Sequence, residues 1–165
     1  MDVTRSAPPL RPPEHRVDPR APRWWTVGAL GTVGAAVAVE AVALALVGSG
    51  WLVGLLVATV VVGTGYVVVM PRWRYRVHRW EADERAVYTL DGWLWLRWRV
   101  APISRIQTID TARSPLQRLF GLASVTVTTA SSAGAVRIEG LDEHAAAELA
   151  RRLTEITHRD HGDAT

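Results

Sequence analysis

The residue types able to do acid-base or metal chemistry in this 165-residue chain are five histidines, His15, His78, His144, His158 and His161. Catalysis needs such groups to converge with a nucleophile or a metal, and these are scattered along the chain. Only His158 and His161, in "HRDH", share a helical spacing that two metal-binding rings can use, and they sit in a terminal tail that reads as solvated. "SSAG", with Ser131, Ser132 and Gly134, lacks the lysine and the following helix of a phosphate loop, so it reads as a hairpin turn. Cysteine is absent, which removes thiol nucleophiles, thiolate metal sites and disulfides. The sequence therefore predicts no catalytic residue, no metal site and no cofactor.

Three other groups carry recognisable chemistry. Arg72, Arg74, Arg76, Trp93, Trp95, Arg97 and Arg99 combine cationic charge with rings that favour a membrane interface, the chemistry of an anionic lipid surface. Arg105, Gln107, Gln117 and Arg118 are polar groups suited to a protein contact, or to tying a strand to a helical turn by hydrogen bonds. Glu40 is ionisable and lies in an otherwise apolar run, where such a group is a functional candidate by default. The plainer reading, which takes precedence over a proton- or ion-linked role, is a carboxyl that stays protonated or reaches the nearby outer interface or a partner helix.

The elements that must position these residues begin with two apolar segments, 24–47 and 51–70, each long enough to cross a hydrocarbon core of about 30 Å. Gly48, Ser49 and Gly50 make the turn between them, so the pair reads as a transmembrane helical hairpin. A signal peptide is the rival reading of the first segment, but its apolar stretch is too long and a second span follows at once. Arg5, Arg11, Arg16, Arg20 and Arg23 precede the hairpin, and Arg72, Arg74, Arg76 and Arg79 follow it. By the positive-inside rule both termini are cytoplasmic, at the plasma membrane. Gly28, Gly31, Ala35 and Ala38 form a small-residue face suited to close helix packing, with Glu40 on roughly the opposite side. Residues 1–23 hold six of the nine prolines and read as a disordered arm.

Residues 71–159 read as one folded domain, with 160–165 as a tail. "RWRYRV" alternates with the two-residue period of a strand, "AVYTL" and "WLWLRWRV" flank an Asp91-Gly92 turn, and Ile103 opens a further strand. Two more strands, with Val125 and Val127 inward, lead to an amphipathic helix that Asp142 caps and whose apolar face carries Ala145, Ala146, Leu149, Leu153 and Ile156. The pattern predicts an α+β fold: a transmembrane hairpin, then an antiparallel β roll or barrel of about seven strands closed by a C-terminal α-helix. In "SPLQRLFGLASVTVTTA", Ser114 is a natural N-cap, Pro115 suits the first helical position and Gly121 suits the left-handed end.

"API-S-RIQTID" followed by "SPLQRLFGLASVTVTTA" resembles the bacterial pleckstrin-homology (PH) domain family of YdbS type, membrane-flanked domains of unknown function. The shared residues are Pro102, Arg105, Ile106, Gln107, Pro115, Leu116, Gln117, Arg118, Gly121, Leu122 and Ala123. The resemblance implies a bent seven-stranded antiparallel sheet closed by a C-terminal helix, and it carries no enzymatic activity. Two departures, the long charged hairpin "HRWEADERAV" and Ala101 where a bulkier aliphatic residue is usual, bear on loop contacts more than on the fold. The function expected is a non-enzymatic, membrane-anchored interaction module whose partners are the lipid bilayer and other membrane proteins or PH-like subunits. Direct binding of anionic lipid by the Arg and Trp surface is the alternative. Nucleic acid is not an expected partner, because Glu81, Asp83 and Glu84 adjoin that surface and the formal charge is only +3.

Overall fold

A computed structural model describes residues 12–130 and 134–162. Helix α1 (Ala21–Val47) and helix α2 (Gly50–Val77) run antiparallel, and both are long and apolar enough to cross a membrane. Gly48 ends α1 in the left-handed conformation, its N–H bonded to the Leu44 carbonyl at 2.8 Å. Inside the hairpin Gly63 lets the helices close, since a Cβ there would stand 2.5 Å from Val33 Cγ1.

Helix α2 does not stop at Pro71. It runs on through "RWRYRV", where the alternation predicts a strand. A proline removes one backbone donor, a local loss that tertiary contacts offset here. The contacts come from a four-residue period: Met70 and His78 are buried and Arg74 is half-buried against the folded domain, whereas Trp73 is exposed.

Six strands follow: β2 (Arg79–Ala82), β3 (Ala86–Asp91), β4 (Arg97–Pro102), β5 (Ile106–Ala112), β6 (Leu122–Thr129) and β7 (Val136–Asp142). The seventh strand, β1 (His15–Arg16), comes from the arm and pairs with β2. The sheets are ordered β1-β2-β3-β4 and β5-β6-β7, all neighbours antiparallel, and a single 3₁₀ turn at Ile103–Arg105 carries the chain between them. Helix α3 (Pro115–Leu119) precedes β6, and helix α4 (Glu143–Gly162) closes the roll. Ala146, Leu149 and Leu153 of α4 pack on Val125, Val127 and Ile138, while Ala145 faces solvent. The α+β architecture is the one the sequence predicts.

The arm departs from the expected disorder over residues 12–23. Val17 and Ala21 are buried, the Asp18 N–H bonds the Gly140 carbonyl at 2.9 Å, and Arg20 bridges Asp18 at 2.8 Å and Asp142 at 2.5 Å. Three buried apolar residues, Pro13, Val17 and Ala21, and one shared guanidinium anchor the segment. Residues 1–11 lie outside the described residues, as do Ser131 and Ser132 of the expected hairpin turn.

A second cluster joins membrane and domain. Val17, Ala21, Trp25, Ala29 and Met70 share it with Leu122 of β6, and Tyr66, Trp93 and Phe120 pack around them. The helix ends and the sheet are thus one apolar unit.

Candidate functional site

Where α2 meets the roll, seven polar side chains enclose a cleft of about 220 Å³. The end of α2 supplies Arg74 and His78, β3 supplies Asp91, β4 supplies Arg97 and Arg99, and β7 supplies Arg137 and Glu139. Strand alternation places Arg137 and Glu139 here, because Val136 and Ile138 point into the core. Glu139 accepts a hydrogen bond from Arg74 at 2.9 Å and forms an ion pair with Arg137 at 3.1 Å, and Arg99 donates to the Ala135 carbonyl at 2.6 Å. Arg97 stands 3.7 Å from Asp91, an ion-pair distance too long for a hydrogen bond.

The Arg74 guanidinium also lies over the Trp25 ring at 4.5 Å, and His78 meets the same ring edge-on with centroids 5.6 Å apart. Burial, with Arg74 nearby, pushes the His78 pKa down to about 4, so the ring is neutral at pH 7. The lining then carries four arginines against two carboxylates. Neither His78 Nδ1 nor Asp91 Oδ1 has a hydrogen-bond partner among the described residues.

Of the residues with membrane-surface chemistry, the cleft gathers Arg74, Arg97 and Arg99. Arg72 instead donates to the Val68 carbonyl at 2.6 Å, and Arg76 is exposed elsewhere on α2. Trp93 and Trp95 are not on a strand face. Gly92, at φ +122°, is covered by the Trp95 carbonyl where a Cβ would stand, so residues 92–96 form a loop before β4 begins. Within it Trp93 packs edge-on against Tyr66 of α2, centroids 5.6 Å apart, and Trp95 is 83% exposed between exposed Leu94 and Leu96. His78, Asp91, Arg137 and Glu139 were not candidates from the sequence. The outward alternation of Arg137 and Glu139 was the only local signal for any of them.

The four polar residues of the signature do not form one surface. Gln117 is 1% exposed and completes a capping box: its N–H donates to Ser114 Oγ at 3.1 Å, and its Oε1 accepts from the Ser114 N–H at 2.9 Å. Its Nε2 donates to buried Ser124 Oγ at 2.8 Å. Gly121, at φ +63°, ends the turn with the Arg20 guanidinium 2.9 Å from where a Cβ would stand. Arg118 and Leu119 are exposed, and Phe120 lines a groove with Pro22, Thr26, Val67 and Pro71 beside the hairpin. Arg105, at the end of the 3₁₀ turn, and Gln107, in β5, are exposed on either side of Ile106, which pairs with Thr129, whereas Gln117 bonds Ser124, five residues back along β6 and about 17 Å away.

Glu40 faces α2, where Thr59 Oγ1 donates to its Oε1 at 2.8 Å. Its Oε2 has no partner among the described residues. His158 is exposed on α4, and the side chain of His161 lies outside the described residues. Among those residues no group of three or more His, Asp or Glu is placed to hold a metal.

The family described as Bacterial PH domain matches residues 29–157. Over 98 residues the chain is 26% identical to the UPF0699 transmembrane protein YdbS of Bacillus subtilis (strain 168), a match covering 59% of this chain and 57% of that protein. The chain thus spans a little over half the length of this relative. No solved structure matches it significantly.

Proposed function

The chain belongs to the bacterial PH domain family, and from that premise we propose that it is a membrane-anchored, non-enzymatic interaction module. Its hairpin carries the PH-like domain at the cytoplasmic face, with both termini on that side, and assembles with further membrane proteins through the bilayer. The observation that carries this reading is the orientation of α1. Val33 and Glu40 face α2, and at 100° per residue Gly28, Gly31 and Gly34 turn away from them. A Cβ added at any of these three glycines meets nothing within 4 Å.

Small residues stabilise helix pairs in lipid by letting backbones approach, so a small-residue face left outside the hairpin suits another helix. The shared cluster of Trp25, Met70 and Leu122 fixes the domain to the helix ends, so association in the membrane also orients the domain. The test is gentle detergent extraction of the full chain followed by mass determination. The expected result is an oligomer or a complex that dissociates when Gly28 and Gly31 are both replaced by Leu. Recovery of only a monomer from native membranes refutes the reading. Activity of a reporter fused after Thr165 only outside the cytoplasm refutes the topology.

A further inference from the structure

The cleft between α2 and the roll is not accounted for by assembly through α1. We propose that it is a binding site for an anionic phosphate group, a phosphate ester held by Arg97, Arg99 and Arg137 above buried His78.

Each guanidinium offers five N–H donors in a planar fork suited to phosphate oxygens. Arg74 has its charge engaged, by Glu139 on one side and the Trp25 ring on the other. The three β-strand arginines are less committed. Arg99 uses one nitrogen on the Ala135 carbonyl, Arg137 stands as an ion pair with Glu139, and Arg97 only approaches Asp91. Their remaining donors border a concave space floored by a histidine that is 3% exposed and whose Nδ1 is unbonded among the described residues. Asp91 and Glu139 oppose an anion, but Glu139 already lies between two arginines, and the lining keeps two positive charges in excess. Charge-assisted bonds from several arginines at once are the strong form of phosphate recognition.

The depth of the cleft names one source of that phosphate. Arg74 lies four residues past Met70, about 6 Å at the helical rise, a distance comparable to the polar layer on one side of a bilayer. Trp93, two residues after Asp91, rests on Tyr66 within the second apolar segment, and Trp95 stands exposed beside it. A lipid phosphate and a soluble phosphate ester share the chemistry, and the experiment separates them.

Native mass spectrometry of the full chain in detergent would compare retention of phosphatidylglycerol with phosphatidylcholine, with glycerol 3-phosphate as the soluble probe. The wild type is expected to prefer phosphatidylglycerol by about tenfold. Arg97→Gln with Arg137→Gln, both on the exposed rim, should abolish the preference, and the charge-matched pair Arg72→Gln with Arg76→Gln should keep it. If millimolar glycerol 3-phosphate displaces the lipid and shifts the His78 ring resonances, the cleft accepts soluble esters. If it does neither while the preference holds, the lipid is the source. Shifts of the His78 resonances by glycerol 3-phosphate in a wild-type chain without lipid preference would make the soluble ester the source. An equal loss in both double variants would mean diffuse attraction, and absence of both the preference and the His78 shifts would mean no site; either result overturns the proposal. The resonance readout on the unmodified chain stands even if the rim variant misfolds.

Discussion

Gln117→Ala separates a brace from a contact surface at the signature turn. The substitution removes the acceptor for the Ser114 N–H and the donor to Ser124 Oγ. Ser114 is exposed, so its N–H regains a partner in water. Ser124 is 0% exposed, so its hydroxyl cannot. A buried polar group deprived of its partner costs about 1–3 kcal/mol, and a weakened N-terminal cap about 0.5–1 more. A total of roughly 2–3 kcal/mol lowers the unfolding midpoint of a domain this size by about 10–20 °C. Arg118→Ala, one residue on and exposed, should stay within about 0.5 kcal/mol. Near-UV circular dichroism of the full chain in detergent, followed against temperature, gives both midpoints. The double variant Gln117→Ala with Ser124→Ala removes the orphaned hydroxyl and should cost less than the sum of the single changes by about 1 kcal/mol. Equal midpoints for Gln117→Ala and Arg118→Ala, or strict additivity in the double variant, would refute the bracing role.

Three further outcomes follow from the geometry. Hydrogen bonds from Arg20 hold the carboxyls of Asp18 and Asp142 below their ordinary value of 3.8. Their contribution is complete above that pH and is lost as pH falls through the window beneath it, so Arg20→Gln should flatten the acid limb of a stability profile. His78 should titrate near 4 by NMR. The unfolded chain takes up that proton first, near 6.5, so the stability owed to the neutral ring is complete above 6.5 and is lost between there and about 4. A His78 midpoint near 6.5 would contradict its burial. Gly63→Leu, which collides with Val33, should open the hairpin and lower the midpoint in detergent, whereas Gly31→Leu should leave the hairpin intact and alter only the mass of the assembly.

What the sequence discloses about this protein is what its chemistry decides locally. The signature turn is legible because Ser114, Pro115 and Gly121 each satisfy a requirement set within a few residues, and Val125 and Val127 keep strict alternation. Three things escape for one reason. The helical run through Pro71, the docking of residues 12–23 and the arginine cleft all depend on partners far along the chain: Leu122, Gly140, Asp142 and Glu139. The alternation of "RWRYRV" is real as a pattern. It loses because Met70, Arg74 and His78 at four-residue spacing find buried or charged partners that a strand would not offer.

The overturned strand also changes how the parts work together. Because α2 is continuous from Gly50 to Val77, Tyr66, Met70, Arg74 and His78 lie on one stripe about 18 Å long. Tyr66 holds Trp93, Met70 joins the cluster with Leu122, Arg74 holds Glu139, and His78 abuts Trp25. Had a strand begun at Arg72, the membrane span and the cleft would be joined by a flexible corner. With a single helix, any partner that turns α2 about its axis within the bilayer displaces Arg74 and His78 together. If the proposed assembly turns α2, then assembly and the proposed occupancy of the cleft are linked through one rigid element, and each should alter the affinity of the other by the same factor.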